Sequence, residues 1–306
     1  MKHGLLFIFL LSQYVSFAQH YEIPFEKEET SNYIYLEITV NDSAKKLRFV
    51  FDTGVKGTVI DKSVAEELGI KPKYIDASVG VTGADVAEIA TKQQLHFKEF
   101  TLKRIDLALI DLSHISTYLN EKIDGIIGSS LISKFITYVD IETKKIKLFR
   151  RVKDISNLEL FTQHSITLIN EKPILRMGFT PKNGTYIEGD FCFDTGFSGS
   201  LSVANHFVEK YQLEKKVGDT YSRKSLGITK DVGEELMGHV QSMRIDKYIF
   251  ENVPTSLSIT KQGSLGANSY LSGLLGNEII YRFQIILDYK HKTIYLKPNK
   301  AINNPF

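Results

Sequence analysis

The chain repeats itself. Phe51-Asp52-Thr53-Gly54 and Phe193-Asp194-Thr195-Gly196 each follow an apolar, strand-like run, and they stand 142 residues apart. Other landmarks keep nearly the same offset. Ile126-Ile127-Gly128 is matched by Leu274-Leu275-Gly276, and Leu131 to Phe135 answers Ile279 to Phe283 at an offset of 148. Asp140, Ile146 and Leu148 answer Asp288, Ile294 and Leu296 at that same offset. Between these landmarks, Gly80-Val81-Thr82 before Asp85-Val86 is answered by Gly227-Ile228-Thr229 before Asp231-Val232, and both read as Gly-bearing hairpins. One Asp-Thr-Gly is ordinary turn chemistry. Two copies at matched places in a duplicated chain constrain it to two equivalent units, each delivering a short acid on a tight loop.

Facing carboxyls a few Å apart cannot both ionise cheaply, so such a pair shares one proton. One member then acts as base and its partner as acid. The base draws a proton from a water that attacks a carbonyl carbon, while the acid protonates the carbonyl oxygen. Short side chains on rigid turns suit this arrangement. The Thr hydroxyl can bond neighbouring backbone, and Gly permits close approach.

At these residues the chain resembles the pepsin-like and retropepsin-like aspartic peptidases, whose active site is built from two Asp-Thr/Ser-Gly loops. The resemblance implies a mostly β, bilobal aspartic-protease-like fold of two homologous β-barrel-like lobes with a cleft between them. It also implies that Asp52 and Asp194 are catalytic, that Thr53, Gly54, Thr195 and Gly196 support their loops, and that Ile126-Ile127-Gly128 and Leu274-Leu275-Gly276 pack beneath them. The two Gly-bearing hairpins correspond to flaps, making Gly80, Thr82, Gly227 and Thr229 candidates for substrate contact. Two flaps lean towards a duplicated and fused retropepsin-like chain. Val55 and Phe197 stand where pepsin-like enzymes place Ser or Thr, and Tyr74 lies several residues before Gly80, so the pepsin flap tyrosine has no clear counterpart.

The expected function is an aspartic endopeptidase acting on an extended polypeptide, with a catalytically impaired peptide-binding module as the alternative. A two-carboxylate glycosidase is a distant third, because it needs carboxyls at least about 5 Å apart and the chain has no Trp for a sugar platform. Internal duplication makes a monomer sufficient.

Strand and turn signals place a first lobe at 33–150, opening with Tyr33 to Val40, a turn at Asn41-Asp42-Ser43 and a return through Leu47 to Phe51. Lys62 to Leu68 reads as a helix ending at Gly69. A linker at 151–160 leads to a second lobe at 161–298, with strands Ser165 to Ile169 and Ile174 to Phe179 around a turn at Asn170 to Pro173. Asn183-Gly184 is a further turn, Asp190 to Phe193 runs into the second loop, and His206 to Tyr211 matches the first helix. Asp140 and Asp288 read as structural residues that start hairpin strands, and 299–306 is a tail.

Residues 1–18 have the three parts of a secretory signal peptide, with cleavage after Ala18. From Gly4 to Ala18 there are 15 residues, interrupted by Ser12 and Gln13, whereas a spanning helix needs about 20 apolar ones. An exported protein, periplasmic or secreted, without a membrane anchor is therefore expected, with 19–32 as an N-terminal segment. Cys192 is the only cysteine and reads as packing between Phe191 and Phe193. The 38 basic and 36 acidic residues give a net charge of +2, with no basic tract for nucleic acid. The 8 histidines show no metal-ligand spacing, and no phosphate loop completes itself. No metal and no cofactor are expected.

Overall fold

The computed structural model describes residues 20–79, 84–228 and 231–306. The chain is mostly β, as its alternating apolar runs demand. In the strand Ile34–Val40, Glu37 is exposed among buried neighbours, and it pairs antiparallel with Leu47–Phe51. Phe51 then leads directly into Asp52. The short strand Gly125–Ile127 runs parallel to Leu47–Phe51 on one side and antiparallel to Thr58–Asp61 on the other. A strand enclosed on both sides is apolar without alternation, and all three of its residues are buried. Gly125 is required there, because a Cβ would overlap the Phe49 ring and the Val59 carbonyl.

The same pairing recurs further along the chain. Lys172–Thr180 pairs with Ile187–Phe193, which leads into Asp194. Gly273–Leu275 runs parallel to Ile187–Phe193 and antiparallel to Leu201–Val203. A parallel neighbour completes each set, with Thr101–Ile110 beside Thr58–Asp61 and Tyr248–Ser258 beside Leu201–Val203. Long hairpins close both sets: Tyr74–Val79 with Ala84–His96, and Tyr221–Leu226 with Val232–Ile245.

Six strands bridge the two sets in one antiparallel sheet. Their order is Tyr21–Lys27, Lys145–Phe149, Ile136–Asp140, Phe283–Asp288, Thr293–Pro298 and Thr162–Ile169. At its centre Tyr138 lies opposite Ile286. Ile285, Leu287, Val139 and Ile146 enter the main apolar cluster, while Ile286 joins Ile136, Phe149 and Ile155 in a smaller one.

Several elements differ from the sequence reading. Tyr21–Lys27, not anticipated as a strand, pairs with Lys145–Phe149 and with Ile34–Val40. The reversal after Ile169 takes two residues, Asn170 and Glu171, so Lys172 and Pro173 already belong to the next strand. Asn170 and Glu171 both have positive φ, 49° and 63°, which matches the right-handed twist of the flanking strands. Asp140 and Asp288 end strands rather than start them, and each accepts from a backbone N–H three residues on, at Thr143 and His291. The helix Lys62–Glu67 is capped by Asp61, whose carboxylate accepts from Ser63 and Val64, and it stops at Gly69 with φ 67°. The second helix, Asn205–Tyr211, forms where expected, and the stretch 151–160 holds two short 3₁₀ turns. Among the described residues no helix is long and apolar enough to cross a membrane.

Candidate active site

The two Asp-Thr-Gly loops meet through their threonines. The Thr53 N–H donates to Oγ1 of Thr195 at 3.0 Å, and the Thr195 N–H donates to Oγ1 of Thr53 at 3.0 Å. Each hydroxyl in turn donates to the carbonyl ahead of the opposite aspartate, Thr53 to Phe193 and Thr195 to Phe51, the latter at 2.9 Å. Each hydroxyl thus accepts once and donates once, and both residues are 1% exposed. Buried groups in such a closed ring cannot exchange one partner for water, so losing a member leaves its partner unsatisfied.

The ring brings the carboxyls together. Oδ1 of Asp52 accepts from the Gly54 N–H at 2.6 Å, and Oδ1 of Asp194 accepts from the Gly196 N–H at 2.9 Å. Each carboxyl also fills the space that a side chain on the opposite glycine would need: a Cβ on Gly54 would lie 2.6 Å from Cγ of Asp194, and one on Gly196 would overlap the Asp52 carboxyl. The two carboxyls are close enough to act on each other's titration. Burial is the largest influence on both and pushes both upward; at Asp52 the Asp194 charge adds to it. The Lys172 ammonium opposes the rise at both residues, as do the glycine N–H groups. A proton held under these conditions belongs to the pair.

The apolar-apolar-Gly elements lie under these loops. A Cβ on Gly128 would strike the carbonyls of Val55 and Asp52, and one on Gly276 those of Gly199 and Phe197. The next residue in each copy is polar. Asn277 donates through Nδ2 to the Thr195 carbonyl at 2.9 Å and to the Asn32 carbonyl at 3.1 Å. Ser129 accepts from the Gly57 N–H at 2.6 Å and donates to the Glu171 carboxylate. Val55 packs with Val59, Ile123 and Ile126, and Phe197 lies against the cluster containing Cys192 and Leu274. Cys192 itself is a free, buried thiol whose titration burial pushes up, consistent with packing.

A cavity of about 890 Å³ contains both aspartates, Gly54 and Gly196 in its lining. The hairpins reach it through Tyr74, Asp76, Leu226, Gly227 and Ile228. Of the four expected flap residues, Gly227 is buried beside this cavity. Gly80, Thr82 and Thr229 lie outside the described residues. Gly227 accepts a hydrogen bond through its carbonyl from Nε2 of His114 at 3.0 Å, so Nε2 carries the proton. Ile228 packs against the cluster of Tyr35, Val50 and Val59. Gly227 and Ile228, just after the strand Tyr221–Leu226, therefore rest on side chains from the first half of the chain. A smaller cavity of about 390 Å³ lies between His239, Phe250, Arg282 and Phe306, with neither aspartate in its lining.

Sequence reasoning missed His114, Tyr33 and Lys172. Tyr35 pairs with Val50, and Ile174 with Cys192, each two residues before an aspartate, so Tyr33 and Lys172 occupy equivalent places in the two entry hairpins. Both line the cavity. Burial, followed by the Asp52 and Asp194 charges, pushes the Tyr33 phenol up. Aligning the two copies by their strand pairs, rather than by identical residues, is the signal that would have found them.

Residues 36–131 match the family model described as aspartyl protease, which supports an aspartic-protease family for this chain. The matched stretch contains the Asp52 loop, and Asp194 lies beyond it. No curated protein matches the chain.

Proposed function

We propose that the chain is an aspartic endopeptidase that hydrolyses peptide bonds with a water activated between Asp52 and Asp194. The observation that carries this reading is the reciprocal Thr53–Thr195 ring, which holds two buried carboxyls against each other inside a cavity large enough for a peptide segment. With one proton on the pair, the ionised carboxylate takes a proton from water as the water oxygen bonds to the peptide carbonyl carbon. The protonated carboxyl gives its proton to the carbonyl oxygen, forming a neutral gem-diol. Collapse of that diol breaks the C–N bond as a carboxyl proton passes to the departing nitrogen and the ionised carboxylate takes one back from a diol hydroxyl, restoring the single proton on the pair. Burial supports the cycle by keeping the pair's proton in place above the ordinary carboxylate range.

The substrate is an extended polypeptide. Tyr74–Val79 and Tyr221–Leu226 each pair on one side only among the described residues, leaving an edge to which a bound strand can add. In this reading 33–150 and 161–298 are the two lobes, 151–160 the linker, 19–32 an N-terminal segment and 299–306 a tail. Gly80, Thr82, Gly227 and Thr229 belong to two flaps. Residues 1–18 direct export and are removed, and the mature protein works as a monomer in the periplasm or outside the cell.

Val55 and Phe197 favour the second reading, a peptide-binding module with impaired catalysis, because both pack into apolar clusters and offer the carboxyls no hydroxyl. The test is cleavage of an unfolded protein by the chain from Gln19 onward, across acidic to neutral pH, beside Asp52→Asn and Asp194→Asn. Loss of at least roughly 100-fold in both variants supports the shared pair. A folded parent chain that cleaves nothing, yet holds peptide equally well after either substitution, points to the module.

A further inference from the structure

Lys172 is a half-buried cation whose charge opposes the rise of both aspartates. It lines the cavity that contains them, and its ammonium bears on Asp52, Asp194 and Cys192. The other cations in the lining, Lys56 and Arg104, are exposed at the rim. The anions there are no better placed to neutralise Lys172: Asp76 and Asp106 are exposed, and the adjacent Glu171 carboxylate is engaged by the Ser129 hydroxyl. Among the described residues Lys172 makes no ion pair.

The backbone holds this lysine in place. It opens its strand immediately after a two-residue turn in which Glu171, a non-glycine residue, sits at φ 63°. The Glu171 side chain reaches the Ser129 hydroxyl, which also receives the Gly57 N–H beside the Asp52 loop. The equivalent place in the first copy holds Tyr33, a buried phenol whose titration burial pushes up. The two sides of the aspartate pair are therefore chemically unlike: one presents a neutral phenol, the other an ammonium that feels the pair's charge but, among the described residues, has no carboxylate within ion-pair distance. A partly desolvated ammonium gains most from an anion brought to it in the same confined space.

We propose that Lys172 is a specificity residue that pairs with a carboxylate side chain of the bound polypeptide, so that the site selects chains carrying Asp or Glu at one fixed position near the cleaved bond. This rests on the peptidase reading above and goes beyond it in naming the substrate class.

The test uses the mature chain and matched peptide pairs that differ only by Glu or Gln at each position flanking the cleaved bond. The expected result is one position at which the Glu peptide is cleaved with kcat/KM about tenfold higher, the size of a single favourable charge contact. That ratio should fall towards unity in Lys172→Met, survive in Lys172→Arg and shrink as salt is raised. Should Lys172→Met not fold, Lys172→Gln gives the same comparison. Equal cleavage of Glu and Gln peptides at every position, or a preference unchanged by loss of the ammonium, overturns the inference and leaves the peptidase reading standing. A folded parent chain that cleaves no peptide overturns both.

Discussion

Thr53 and Thr195 each donate a backbone N–H to the other's hydroxyl at 3.0 Å, across 142 residues of chain. Through the same hydroxyls each also bonds to the carbonyl preceding the opposite aspartate. The geometry of one carboxyl is therefore set by the loop that carries the other, and neither loop can shift alone.

Removing one hydroxyl breaks that arrangement asymmetrically. Thr195→Val keeps the shape but leaves the Thr53 N–H and the Phe51 carbonyl buried without a partner, at a cost of about 1–3 kcal/mol for each unsatisfied group. Thr195→Ser retains the hydroxyl and should lose less than half as much. Urea unfolding of the two variants checks this. A loss in Thr195→Ser as large as or larger than that in Thr195→Val would mean that the hydroxyl does not dominate and the methyl carries at least as much of the stability.

Gly196 should tolerate nothing larger. A Cβ there overlaps the Asp52 carboxyl, and one on Gly54 meets the Asp194 carboxyl. Because these obstacles are the reacting groups, Gly196→Ala is expected to lower kcat by at least roughly 100-fold and to destabilise the fold by about 1–3 kcal/mol. Steady-state kinetics beside thermal unfolding separates the two effects. A variant with normal kcat would show that the carboxyls need not lie so close.

How much of this was legible in the chain depended on whether the determining partner was local. Leu47–Phe51 and Ile187–Phe193 announced themselves because alternation, a turn and Asp-Thr-Gly follow one another in sequence. Tyr21–Lys27 did not, because what makes it a strand is Lys145–Phe149, more than a hundred residues away, and because Pro24 and three charged residues mask Ile23 and Phe25. The turn after Ile169 was read too long because Glu171 is not a residue that positive φ favours, and its tie to Ser129 is invisible locally. The mutual approach of Asp52 and Asp194 was inferable from duplication. The asymmetry between Tyr33 and Lys172 was hidden, since a repeat draws the eye to what is the same.

His114 holds the second hairpin at Gly227. Its Nε2–H bond to the Gly227 carbonyl joins a helix of the first half, Ser113–Leu119, to the turn after Tyr221–Leu226. His114→Ala removes that bond, while Ile228 keeps its apolar contacts. The expected outcome is faster amide exchange at Ser225 and Gly227, by roughly 5–10-fold for a bond worth about 1 kcal/mol, with exchange in Leu47–Phe51 unchanged. Unaltered exchange at Ser225 and Gly227 would show that packing of Ile228 alone fixes the hairpin.

The aspartate pair should leave a mark on stability as a function of pH. Both carboxyls are raised from an ordinary value of 3.8, burial being the first cause. Below that value folded and unfolded chains both carry the protons, and the pair contributes no pH dependence. Above it the unfolded chain releases protons that the folded pair retains, so the folded state binds more protons and stability falls as pH rises towards the folded pair's own titration. An asparagine at either position is neutral at every pH, and its side-chain carbonyl can still accept the glycine N–H that the carboxylate accepts now. Asp52→Asn and Asp194→Asn should therefore each be more stable than the parent at pH 7, with an advantage that shrinks as the pH is lowered to 4. Thermal unfolding of parent and variants at both pH values measures that difference directly, and other titrating groups cancel in the comparison. A parent–variant gap that does not change with pH would mean the buried pair holds no extra proton, and the acid–base step proposed for it would lose its physical basis.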